Sequence, residues 1–584
     1  MPASFLHGVE VIELLTGPAP ITVVKSSVIG LVGTAPYWAV SSGTTAAPIN
    51  TPLLVSSARN AAQFGPAVQG YTIPYALNAI LGQGAGQAIV VNVFDITKHT
   101  SDIVGSQTFS AAGAINLGHM GVTNLSLMPT ATASVSAESH TFGGTPATIQ
   151  LAHSGVQGSS VVVTSNPAGT TYIQGTDYTV DTRTGLITRL TAGAIGITAA
   201  VLASYSYYSG TAYSLVHDYA IDAVNGVLTL QSGGAIAAGA TVVASFSYAD
   251  PTKVQDSDII GAVSGSGYTG LQALLTTYGT MGFFPKLLIA PGYSQNGDVA
   301  TALQAIAGTL RGMALIDSPP STPPATALAN RGVAGNAFDT SSTRAILCYP
   351  QETYFDIGLV PTGVTLNGTS AVPSVANQTA VGPYSQWVAG AIALKDLDNG
   401  YWWSPSNTQV NGILGPDVTL YASLLDAASD VNNLNAAGIV TVFNAFGTGL
   451  RIWGNRTAGY PTITTPDNFI NVRRTMDVIE ESVELSMLQF IDQPISNALI
   501  TAILASVNAF IRTLIQRGAL VAGTARYNPA ENDPSQIAAG HLVFDIDVMP
   551  PPPAERLTFN VYIDSTLLSQ LGTTSASTST ALTA

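Results

Sequence analysis

Charge is scarce in this chain. Of its 584 residues only 9% are Asp, Glu, Lys or Arg, against about 25% in an average soluble domain. A free monomer keeps its surface wet with such residues, whereas a surface of Ala, Gly, Ser and Thr is easily desolvated. The shortage therefore points to a subunit covered by neighbours, with a secreted or thermally rugged monomer as the alternative. Positive charge is scarcest: 19 Lys and Arg against 34 Asp and Glu leave a net charge of −15. No basic run is longer than Arg473-Arg474, which argues against a phosphate-neutralising surface and a direct nucleic-acid partner. Cysteine is nearly absent. Cys348 alone can form no internal disulfide, so nothing requires an oxidising compartment. The N-terminus lacks the basic and apolar regions of a signal peptide. The most apolar stretch, 495–516, is interrupted by Asn497, Thr501, Asn508 and Arg512, which argues against membrane insertion.

Motifs that carry chemistry are missing too. The seven histidines (His7, His99, His119, His140, His153, His217 and His541) show no H-x3-H or HExxH spacing. No GxxxxGK[ST] or G-x-S-x-G occurs. Gly82-Gln83-Gly84-Ala85-Gly86 follows a helical pattern and opens a strand-like one. That is the reverse of a phosphate-cradling loop, and it reads as a helix C-terminal turn. His541, Asp545 and Asp547 fall on one side of a predicted strand, as an acid–base or cation cluster or as a solvated face. No catalytic, cofactor-binding or metal-ligating residue is assigned, and the chain is expected not to be an enzyme.

What is present is organised. Residues 1–20 read as an extended arm, whose strand Val9, Val11, Ile12, Leu14 is cut off by Gly17-Pro18. Residues 21–120 and 255–455 alternate amphipathic helices with continuous apolar strands such as "SSVIGLVGTAP". That is the pattern of a discontinuous α/β core with strands buried on both faces. Between them, 121–254 is rich in Thr, Ser, Gly and Tyr and contains a repeat. Asp177–Tyr207 matches Asp218–Tyr248 at a constant offset of 41, with 14 of 31 positions identical. Each unit reads strand, tight turn (Thr184-Gly185 or Asn225-Gly226), strand, loop, strand, predicting an inserted β-sandwich-like module. The insertion is either exterior decoration or a binding module.

Residues 456–549 begin helically. Met476, Ile479, Val483, Met487 and Phe490 make one stripe that Pro494 ends, and Leu499, Ile503, Val507, Phe510 and Leu514 make another. Glu480, Glu481 and Glu484 read as pairing with Arg473 and Arg474 along the helix. Two strands follow, "HLVFDIDVMP" and "ERLTFNVYID", kept apart by the stiff run Pro550–Pro553. The second strand, carrying Leu557, Phe559, Val561 and Ile563, belongs to a C-terminal arm and mobile tail, 550–584. The fold class expected is α/β (α+β) multidomain.

Several ordered stretches resemble the contractile tail sheath proteins of bacteriophages, a family shared with R-type tailocins and, distantly, type VI secretion sheaths. They are the first arm and strand, "YSQWVAGAIALKDLDNGYWWSPSN", "GLRIWGNRT", "NFINVRRTMDVIEESV" and "GHLVFDIDVMPPPPAERLTFNVYI". The match runs over roughly 1–120 and 255–570. The resemblance implies a structural subunit of a contractile tail, polymerised with itself as stacked hexameric rings on a tail tube protein. Baseplate and tail terminator proteins would be further partners. Residues Val9, Val11, Ile12, Leu14 and Leu557, Phe559, Val561, Ile563 would be joining strands that complete a neighbour's C-terminal helix-plus-sheet domain. Gly17, Pro18, Pro550 and Pro553 would be hinges. Arg512 and Arg517 would face the tube, or be ordinary solvent or core-edge arginines. Localisation would be the virion, after assembly in the bacterial host cytoplasm. A tailocin or other injection-system sheath, a hydrolase and an adhesin-like surface protein are the alternatives.

Overall fold

In the computed structural model the described residues are 20–84, 86–265, 267–356, 358, 379–444 and 447–571. Val9, Val11, Ile12, Leu14, Gly17 and Pro18 lie outside them. The long apolar runs become the strands of one eight-stranded sheet. These are β1 (Val28–Gly33), β2 (Leu53–Val55), β3 (Gln87–Asn92), β4 (Leu287–Ile289), β5 (Met313–Asp317), β6 (Ala345–Cys348), β7 (Ile439–Asn444) and β8 (Leu450–Trp453). Their order is β2-β3-β1-β4-β5-β6-β7-β8. Six central strands run parallel, and β2 and β8 close the edges antiparallel. Every residue of β1, β5 and β6 is buried, as expected of parallel strands covered on both faces.

Helices α1 (Ile73–Leu81) and α3 (Ser385–Asn399) cover one face, and α2 (Gly297–Thr309) covers the other. Gly82 ends α1 as the composition predicts, its N–H bonding the Asn78 carbonyl. Gly390 in the "VAG" stretch lets α1 and α3 meet. A Cβ there would sit 3.0 Å from Ile80 Cα and 2.8 Å from Gln83 Cγ. At the carboxyl edge of the sheet, Asp317 is fully buried and accepts from Ser294 Oγ at 2.8 Å and from the Ser385 amide and hydroxyl at 2.7 and 2.6 Å. Burial pushes its carboxyl up to about 6, against the pull of those donors.

The all-β insertion is a nested duplication. An outer module combines Thr100–Thr108, Ala114–Asn116 and Thr123–Met128 with Tyr219–Asp222, Val227–Leu230 and Thr241–Ala249. An inner module, Thr132–Tyr208, is inserted into the outer one. Each forms two three-stranded antiparallel sheets with equivalent strand orders around its own core. The first strand, at Thr100, lies ahead of the composition boundary at 121. The repeat read from the sequence is thus only the C-terminal half of each module. The N-terminal halves match as well: "INLGHMGV" from Ile115 and "IQLAHSGV" from Ile149. His119 stacks on Tyr248 at 3.9 Å, and His153 on Tyr207 at 3.8 Å. The two hairpin loops span four residues, and it is Gly185 and Gly226 that take positive φ, 76° and 67°, while Asn225 does not. Asp181 and Asp222 hold the loops by accepting from backbone N–H groups within them.

In the C-terminal region, α4 (Ile470–Met487) packs its Ile479–Val483–Met487 stripe on α5 (Asn497–Gln516). The helix stops seven residues before Pro494, passing into a short 3-10 turn, Leu488–Phe490. Leu499, Val507, Phe510 and Leu514 of α5 are buried, as its stripe predicts. Beneath them lies a two-stranded sheet of β9 (Ala522–Tyr527) and β10 (Phe544–Met549). The sequence "AGTARY" of β9 carries too little apolar alternation to be read as a strand.

Candidate functional site, a junction helix

The acidic helix α4 does more than pair charges along itself. Arg473 bonds Asp477 and Glu480 at 2.8 and 3.1 Å, as helical spacing predicts. The other acids reach the core. Lys286, Arg311 and Arg344 stand just ahead of the adjacent strands β4, β5 and β6. Lys286 meets Glu481 at 2.5 Å, Arg311 meets Glu480 and Glu484 at 3.1 and 3.0 Å, and Arg344 grips Asp477 with two bonds of 2.7 Å. So α4 crosses the amino ends of three parallel strands, and each strand entrance supplies a cation. Burial pushes the Lys286 ammonium below its ordinary value, with Glu481 pulling the other way. Arg474 turns elsewhere, to Asp396 near the end of α3, at 2.9 and 2.5 Å. Both side chains are only 4% exposed.

This helix also holds the first described residues of the chain. Residues 20–26 run along α4 outside any helix or strand. The N–H groups of Thr22 and Val24 donate to Ser486 and Ser482 Oγ at 3.2 and 3.1 Å. Two residues of chain span at most about 6.6 Å, against about 6 Å for the four helical residues from Ser482 to Ser486, so the spacings match. Ile21 and Val23 pack into the α4–α5 cluster. Ser26 completes the hold: its Oγ donates to Asp396 at 2.7 Å, and its carbonyl accepts from Arg474 at 3.1 Å.

After β10 the chain passes the start of α4. Asn471 Nδ2 donates to the carbonyls of Trp402 and Pro551 at 3.0 and 3.2 Å. Pro550 is buried. The proline run borders a cleft of about 640 Å³ whose other walls include Trp402, Trp403 and Trp453. Arg456 then pairs with Glu555 through two bonds, 3.1 and 2.5 Å. After that the chain is bare. Residues 551–564 form no helix or strand. Leu557, Phe559, Val561 and Ile563 are 71, 81, 88 and 102% exposed. The strand predicted here has its alternation but no partner among the described residues.

The small sheet that precedes it in the chain has only two strands. On β9, Ala525 is already engaged, since its N–H and C=O both bond the Asn508 side chain at 2.9 Å. Asp545 and Asp547 of β10 face Arg526 across the ladder, while His541 bonds Gln536 instead. The acid–base cluster is therefore not assembled, and no group of three potential metal ligands occurs among the described residues. Arg512 and Arg517 are both exposed. Arg512 lies on the open side of α5, but Arg517 follows the helix and lines the tryptophan cleft. Sequence reasoning missed Lys286, Arg311, Arg344, Asp396, Arg456 and Asn471. The last three lay in stretches that had drawn attention for their resemblance, and the first three did not.

Comparison with known proteins bears on this arrangement. Residues 266–458 match the model of the phage tail sheath protein central domain, and 465–564 that of the phage tail sheath C-terminal domain. Residues 110–216 match a family of proteins of unknown function. The chain is 41% identical over 574 residues to a tail sheath protein of Burkholderia phage BcepMu, covering 97% of this chain and 98% of that one. It is 30% identical over 324 residues to a putative prophage major tail sheath protein of Pseudomonas aeruginosa, covering 55% and 76%. A solved structure, the PVC sheath complex of an extracellular contractile injection system in its contracted state, overlaps 51% of the chain and 76% of its own with 20% identity and a TM-score of 0.40.

Proposed function

The chain belongs to the phage tail sheath family and is a structural sheath subunit, and we propose that it polymerises by exchanging its two arms. Hexameric rings stack around a tail tube, and the sheath shortens to drive the tube through the host envelope. Val9, Val11, Ile12 and Leu14 of one subunit and Leu557, Phe559, Val561 and Ile563 of another add as strands to the β9–β10 sheet of a third. The observation that carries this reading is the bare, alternating segment 557–563, which follows a sheet of only two strands in the chain. Backbone bonds supply the join, and the alternate side chains set its register. With Ala525 closed by Asn508, the outer edge of β10 is the better acceptor.

The work comes from new subunit contacts on contraction, so the mechanism calls for no cofactor. The ion pairs of α4 keep the arm roots rigid on the core while the arms themselves turn. Baseplate and terminator proteins are the partners at the two ends, and Arg512 is the better placed of the two arginines to face the tube. The assembled sheath is part of the virion, built in the host cytoplasm.

Negative-stain microscopy tests the proposal. The intact chain is expected to form tubes, and a chain lacking residues 1–20 to remain as single subunits. Normal tubes from the truncated chain would overturn the role of that arm. The inner β module is expected to be dispensable. Its ends meet at a neck where Ser209 N–H bonds the Ala131 carbonyl at 2.8 Å, so residues 132–208 can be removed and 131 joined to 209. Tubes should persist. Their loss would assign the module to a subunit contact.

A further inference from the structure

The four prolines are the obvious joint of the C-terminal arm, yet they are held at both ends. Upstream, Pro550 is buried and Asn471 binds the Pro551 carbonyl. Downstream, Glu555 receives Arg456 Nε and Nη2. Arg456 is not free to swing. Its guanidinium lies 4.0 Å from the Phe469 ring and 4.3 Å from the Tyr460 ring. Its third nitrogen donates to Asn468 Oδ1 at 2.7 Å, and the side chain is 16% exposed. It is a preset fork with two nitrogens aimed at one outside carboxylate, a geometry that lysine cannot reproduce.

We propose that Arg456 is the positioning residue of the C-terminal arm. Through Glu555 it holds the proline spacer on the subunit, so the arm turns at Arg556 and leaves in one direction. The hinge assigned to Pro550 and Pro553 thereby moves to the end of the spacer, and the prolines become a rigid standoff. The purpose of this latch rests on the strand-addition reading above, but its geometry does not. Released at Glu555, four more residues join the free arm, adding about 12 Å of reach at ~3.1 Å per residue. The arm also loses its direction, so its effective concentration at a neighbour's sheet falls.

The test is local mobility in the full chain below its polymerisation threshold. A nitroxide is placed at Ala554→Cys or Thr558→Cys, positions that are both exposed, while the native Cys348 is fully buried. The label at 554 is expected to be immobile and that at 558 mobile. Glu555→Ala should shorten the correlation time at 554 several-fold, to the value at 558. Salt at about 1 M should act in the same direction, since Glu555 is half-exposed and the pair is open to screening. Arg456→Ala can unfold the corner that Arg456 fills, so Glu555→Ala is the informative variant. Its melting temperature should stay near that of the parent, because a partly exposed pair is worth only about 0–1 kcal/mol. A label at 554 as mobile as that at 558 in the parent, or unmoved by Glu555→Ala, overturns the proposal. In assembly, Glu555→Ala should raise the polymerisation threshold about tenfold. Released mobility with an unchanged threshold would leave the latch standing and count against strand addition instead.

Discussion

A subunit in which Leu557, Phe559, Val561 and Ile563 are all replaced by serine is expected to fold normally and fail to polymerise. The four side chains are 71–102% exposed in the single subunit, so the fold loses nothing when they become polar. In a strand added to a neighbour, alternate residues go into its core. Burying each apolar side chain is worth about 2 kcal/mol, so the four together contribute about 8 kcal/mol to each junction. At ~1.4 kcal/mol per factor of ten, that is a loss of five to six orders of magnitude in the junction's equilibrium constant. Phe559→Ser alone should raise the polymerisation threshold roughly 30-fold by the same arithmetic. Sedimentation velocity reads the assembly and thermal melting reads the fold. An early melt in the serine variant would mean that the segment packs on its own subunit, and unchanged polymer would remove it from the junction.

The second large effect lies inside the subunit. Arg474→Met should lower the melting temperature by about 10 °C and loosen the first arm's root. Arg474 and Asp396 are each 4% exposed, and removing the arginine strands a carboxylate with Ser26 as its remaining partner. Breaking a buried pair from one side costs about 3–5 kcal/mol, and each kcal/mol moves the melting point of a mid-sized domain by roughly 2–4 °C. Replacing both partners, as Asp396→Leu with Arg474→Met, should recover most of the thermal loss, because an apolar pair of similar volume is often as stable. It should not recover arm anchoring, since Ser26 would then lack both of its contacts. Hydrogen exchange at Thr22 and Val24 separates the two effects. A single variant that melts within about 2 °C of the parent would show that the pair is not holding this junction.

Local pattern was readable wherever the physics is local. Apolar runs such as Val28–Gly33 announced strands buried on both faces, because a parallel strand must be apolar at every position. The stripe on α5 announced which of its faces is inward. Gly17-Pro18 and Pro550–Pro553 mark strand-like runs as cut off, since proline cannot continue a ladder; the second run is bare in the fold, and the first lies outside the described residues. The half-repeat at offset 41 was readable because nothing interrupts it.

What tertiary structure decided is mostly a matter of partners far apart in the chain. Composition said that α4 is charged, but not that Glu481, Asp477 and Glu480 would meet cations at the entrances of β4, β6 and β5. Those cations are separated in sequence by helices and loops, and only the parallel stacking of strands lines them up. The first half of the β duplication was hidden because one copy is inserted within the other, which changes the offset partway. Arg456 and Glu555 lie 99 residues apart, and no local periodicity links them. Sequence settled the buried core strands and the apolar faces of the long helices, because these follow from each residue's immediate neighbours. The folded chain alone settled what holds residues 20–26, Pro551 and Glu555, because a salt bridge is defined by distance in space.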